Sequence, residues 1–87
     1  MRAAKVDANQ SQIVQALRAV GCTVQCLHTV GQGVPDLLVG FSGKNILVKV
    51  KDGPKPKLTP DQVVWHSEWK GQVCVVRSAE DIPFLFI

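Results

Sequence analysis

The stretch Val34–Asp52, VPDLLVGFSGKNILVKVKD, constrains the fold of this chain more than any other. Asp36 to Val39 is a short apolar run, Gly40, Ser42 and Gly43 supply turn residues, and Asn45 to Val50 is a second run rich in β-branched side chains. Two such runs around a glycine-containing turn predict a β-hairpin. Strand alternation sends Ile46, Val48 and Val50 to one face and Lys49 and Lys51 to the other. Pairing the two strands then brings Asp36 towards both lysines, so that one acid and two bases share a patch of an otherwise aliphatic sheet.

Helices and further strands extend this centre on both sides. Asn9 or Ser11 is placed to cap a helix running to about Val20, with Ile13, Val14, Leu17 and Val20 as its apolar stripe and Gly21 as its stop. Thr23 to Leu27 reads as a strand, followed by His28 and a glycine-containing loop, Thr29 to Gly33. After the hairpin comes a basic, proline-interrupted segment with Lys55 and Lys57. Thr59-Pro60-Asp61-Gln62 is a helix start, with threonine at the cap and proline at the first helical position. That helix reaches about Trp69; Trp65 and Trp69 share one of its faces, as do Gln62 and His66. The tryptophans read as core or subunit contacts rather than base-stacking platforms. Gln72 to Val76 has the near-continuous apolar character of a buried central strand. A short helical start near Ser78–Asp81 and the apolar end Phe84–Ile87 complete the chain. The order helix, three strands, helix, strand predicts one compact α/β domain over residues 1–87, with a mixed central sheet flanked by helices.

Composition narrows the classes of function. The chain has 87 residues, 46% of them hydrophobic, which is too apolar for intrinsic disorder but enough for only a modest core. The formal charge of +3 favours polyanionic partners weakly. The polar start MRAAKVDANQ lacks an apolar signal segment, and no run is long enough to span a membrane. Three cysteines, an odd number, point away from a disulfide framework and towards a reducing, cytoplasmic compartment. Cys22, Cys26 and His28 lack the spacing and the second ligand pair of a zinc site. No Gly-Lys-Ser/Thr follows the Gly31–Gly33 loop, which excludes a P-loop, and the fingerprint of a dinucleotide-binding fold is absent.

The segments GVPDLLVG, ILVKVKDG and KLTPDQVVWHSEWKG together resemble the VRR-NUC family of the PD-(D/E)xK nuclease superfamily, over about Gln10 to Ile82. The resemblance implies a restriction-endonuclease-like core and Mg²⁺- or Mn²⁺-dependent hydrolysis of DNA phosphodiesters. It makes Asp36 a metal ligand, the Val50 carbonyl a second ligand and Lys51 the catalytic lysine. On the first helix it implies an acidic residue near the metal, where this chain offers only the neutral amides Gln10 and Gln12, of which Gln12 fits better. His28, Lys55, Lys57 and Gln62 become candidate DNA contacts. Stand-alone phage and bacterial relatives imply a homodimer acting on branched or four-way junction DNA, in a bacterial host cell.

One position departs from the pattern. Where the family has the glutamate of Glu-Val-Lys, this chain has Lys49-Val50-Lys51. A charged lysine has no acceptor for a cation and adds positive charge where the metal belongs. The expectation is weak metal affinity and little or no cleavage, whether Lys49 is an engineered change or a natural departure. A non-catalytic DNA-binding module is the alternative, and a small interaction domain built on the aromatic residues is the third reading.

Overall fold

The structure, a computed structural model, describes residues 9–51 and 58–85. Its elements are α1 (Gln10–Ala19), β1 (Thr23–Cys26), β2 (Leu37–Phe41), β3 (Lys44–Val50), α2 (Pro60–Glu68) and β4 (Val73–Val76), followed by a short 3₁₀ helix, Ala79–Phe84. The strands form one mixed sheet in the order β1-β2-β3-β4. The first three pair antiparallel and β4 joins β3 in parallel. A parallel partner needs a crossover, and the segment holding α2 provides it. The expected α/β class and the mixed, helix-flanked sheet are both observed.

The hairpin is tighter than the turn residues imply. Only Ser42 and Gly43 form the connection, both at positive φ (51° and 79°). This is the signature of a two-residue turn whose twist matches that of the strands. Gly40, expected in the turn, lies within β2, paired with Thr23 on one side and Asn45 on the other.

One sheet face carries the core. Leu37, Val39, Ile46, Val48, Val50 and Val76 pack with Ile13, Val14 and Leu17 of α1. Val20 is not part of this stripe: it follows the last helical residue and is 58% exposed. Asn9 occupies the cap position of α1, but its side chain makes no capping bond. Its Nδ2 instead donates to the Arg77 carbonyl at 2.6 Å and to the Lys51 carbonyl at 3.4 Å. Asn9 thereby ties the start of α1 to the chain just beyond β3 and β4.

β4 corrects a second expectation. Among the described residues it is an edge strand and not a buried central one, with Val76 buried and Val75 38% exposed. α2 begins with the expected cap, strengthened by reciprocity: Gln62 N–H donates to Thr59 Oγ1, and Thr59 N–H donates to Gln62 Oε1. No residue of this helix is fully buried. Trp65 and Trp69 stack on one another, with ring centroids 4.8 Å apart and planes 16° off parallel, while Trp69 stays 45% exposed. The apolar end at Phe86 and Ile87 and the polar arm before Asn9 lie outside the described residues.

Candidate functional site

Asp36 sits between the buried Pro35 and the first residue of β2, and its carbonyl accepts from Leu27 N–H at 2.7 Å. The register pairs Leu37 with Val48, so one step back along the strand sets Asp36 against Lys49. Directly opposed antiparallel residues share a face. Lys49 Nζ lies 3.1 Å from Asp36 Oδ2 and 3.4 Å from Oδ1, and the two side chains are only 10% and 12% exposed.

A third group completes the contact. The N–H groups of Leu47 and Lys51 donate towards β4, to the Gln72 and Val76 carbonyls. Alternation along β3 therefore turns Val50 N–H towards β2. β2 begins only at Leu37, so no backbone carbonyl of that strand stands opposite Val50. Asp36 Oδ2 takes the place of that carbonyl and accepts from Val50 N–H at 2.7 Å. The carboxylate thus bonds both a charged donor and a backbone donor, which compensates its removal from water.

Lys51 lies just past the end of β3, half-buried, on the same face as Lys49 by alternation. The expected convergence of Asp36 with two lysines is present to this extent: Lys49 contacts the acid directly, and Lys51 follows on the same face.

The remaining candidates are dispersed. Gln12 is exposed, whereas Gln10 is buried in the same helix, its Oε1 sealed from solvent without a hydrogen-bond partner among the described residues. Gln10 extends the inward stripe of Ile13, Val14 and Leu17 back by one turn, which leaves Gln12 on the outer side. His28 is half-buried just beyond β1, with Nδ1 sealed and unpartnered. The Gln62 side chain takes part in the cap of α2 through Oε1, which accepts from Thr59 N–H, whereas a phosphate contact would use its Nε2 donor. Its neighbour on that helix face, His66, lies near enough to Lys49 to feel its charge. Burial pushes the His66 imidazole below its ordinary pKa, and the Lys49 ammonium lowers it further. His66 Nε2 is sealed and has no hydrogen-bond partner among the described residues. The shared face of Gln62 and His66 is a sequence signal for this residue, but the influence of Lys49 on it is not written in the spacing. Lys55 and Lys57 lie outside the described residues.

A Mg²⁺ or Mn²⁺ ion at this site would meet Asp36 already paired with the Lys49 ammonium. Such ions require several hard oxygen ligands. Among the described residues no group of three or more His, Cys, Asp or Glu side chains converges. Asp36 already pairs with an internal cation and accepts from Val50 N–H. No helix among the described residues is long and apolar enough to cross a membrane. No family model, curated protein or solved structure matches the chain.

Proposed function

We propose that this chain is a DNA-binding domain on a nuclease-like α/β frame, with its cleavage chemistry disabled at position 49. The observation that carries this reading is the buried Lys49–Asp36 ion pair. An internal ammonium there supplies the positive charge that relatives of the resembled family obtain from a metal. The pair holds the sheet together at this position without the second carboxylate that the resembled family uses for hydrolysis. The metal-dependent endonuclease of the resemblance is then the ancestral activity, impaired in this sequence.

DNA is the partner that the +3 charge favours, bound chiefly through phosphates. In this reading the chain acts as a homodimer in the bacterial cytoplasm. Two sites about a twofold axis suit the opposed strands of a four-way junction. The three cysteines, all free thiols, suit a reducing compartment.

The test is a binding competition between a four-way junction and a duplex of the same sequence at fixed salt, run in EDTA and in Mn²⁺. The expected result is junction preference, equal affinity in both buffers and no nicking. Loss of binding in EDTA, or manganese-dependent nicking by the unaltered chain, would overturn the disabled-site reading. Equal affinity for junction and duplex would remove the branched-DNA preference.

A further inference from the structure

Helix α2 carries apolar and acidic side chains that the fold itself leaves unused. None of its residues is fully buried, and Val63 and Val64 are each 53% exposed. Consecutive β-branched residues lower helix propensity, so on a solvent-facing side they add neither local nor core stability. Asp61, Val64, Trp65 and Glu68 follow at intervals of three, one and three, which places all four on one side of the helix. Together with Gln32 they line an open recess of about 300 Å³. The loop that presents Gln32 is held against the start of α2, where a Cβ on Gly33 would collide with the Asp61 carbonyl.

Charge selects the partner of this recess. Among the described residues no cationic side chain lines it, and neither the Asp61 nor the Glu68 carboxylate has an ion-pair or hydrogen-bond partner. Asp36, by contrast, is paired with Lys49, and Asp81 accepts from Arg77 N–H. Two unpaired carboxylates on one side of a helix repel the phosphates of a nucleic acid and attract a cation. Trp65 suits the same ligand, because an indole ring attracts guanidinium and ammonium groups. Val63 and Val64 extend apolar surface beside the acids for the uncharged part of the partner. Asp61 and Glu68 are seven residues apart, about 10 Å along the helix axis. Two basic residues three apart in a polyproline-II segment share a side and stand about 9 Å from one another.

We propose that this side of α2 docks a basic, extended segment of another protein. Asp61 and Glu68 receive two Arg or Lys side chains, and Trp65 and Val64 take the residues between them. The site stands independently of the DNA reading above.

The experiment is a chemical-shift titration of the full chain with the peptide acetyl-Arg-Leu-Pro-Arg-amide, followed at the Trp65 indole N–H and the Val64 amide. The acidic peptide acetyl-Glu-Leu-Pro-Glu-amide is the control. The expected result is saturable shifts with the basic peptide alone, weakening as salt is added. Asp61→Asn combined with Glu68→Gln should weaken binding by about tenfold, the worth of two exposed ion pairs. Both positions are exposed, and the remaining amide signals report in the same titration that the variant is folded. Shifts that fail to saturate, that the acidic peptide reproduces, or that persist unchanged in the double variant overturn the proposal. Duplex DNA moving the same signals at matched ionic strength would make this a nucleic-acid surface and overturn it. Movement of these signals on dilution of the peptide-free chain, with a change in sedimentation, would assign the face to a second copy and overturn it likewise.

Discussion

Lys49 Nζ stands 3.1 Å from Asp36 Oδ2 in a site almost closed to solvent, and Val50 N–H donates to the same oxygen at 2.7 Å. Removing one member of such a pair strands the other charge. Lys49→Met should therefore destabilise the fold by about 3–5 kcal/mol. Asp36→Asn combined with Lys49→Met should recover most of that loss, because a neutral amide can still accept from Val50 N–H. Urea denaturation of the two single variants and the double variant measures the coupling. A Lys49→Met protein within about 1 kcal/mol of the parent would show that the pair is not a structural unit.

Replacing Lys49 by Glu sets two carboxylates against one another. The Lys49→Glu protein should melt below the parent in EDTA and regain stability with Mn²⁺, since a ligand that binds only the folded state stabilises it. The parent should show no such response. Nicking of branched DNA by Lys49→Glu in Mn²⁺, absent in EDTA and in Lys49→Glu with Asp36→Asn, would connect the restored acid to cleavage. If Mn²⁺ shifts the melting of neither protein, position 49 is not a metal-ligand position.

Much of this arrangement was legible because β periodicity is local. The alternation of Ile46, Val48 and Val50 with Lys49 and Lys51 already divides the faces of β3, and direct pairing of Lys49 with Asp36 follows once the hairpin closes. Edge position is not local. The run Val73–Val76 reads as central because it is continuously apolar, but only the sheet order reveals that no strand among the described residues pairs beyond it. The choice between Gln10 and Gln12 turned on helical phase. Gln12 stands just ahead of Ile13 and Val14, but counting back one turn from that pair lands on Gln10, which is the buried one. The placement of His66 near Lys49 required knowing where α2 docks, and its lack of a buried stripe gave no such information.

His66 gives a pH signature of known sign. Burial, followed by the Lys49 charge, holds its imidazole below the ordinary value. The unfolded chain then takes up a proton at higher pH than the folded one. Stability should be insensitive to this group above about pH 6.5 and should fall as pH drops from there through the folded value. His66→Gln removes the difference, so its melting temperature should decline less between pH 7 and pH 5 than that of the parent. Parallel declines would place the acid sensitivity elsewhere.

The last prediction concerns what holds α2 in place, since no side chain of that helix is fully buried. Gly33 approaches the start of the helix so closely that a Cβ there would collide with the Asp61 carbonyl, and its φ is +83°. Gly31, in the same loop, has a φ of +76°, and a methyl group added to it would meet no atom of the described residues within 4 Å. The two glycines thus separate backbone strain from close packing. Gly31→Ala should cost about 1–2 kcal/mol, the ordinary penalty for a left-handed alanine. Gly33→Ala should cost about 1–3 kcal/mol more, because the backbone of α2 has to move. The loss should be local as well as global: the Gln62 amide, held by Thr59 Oγ1, should lose exchange protection in Gly33→Ala and keep it in Gly31→Ala. Equal destabilisation by the two variants would mean that α2 is held by contacts elsewhere, and that the approach of Gly33 to Asp61 contributes little to its docking.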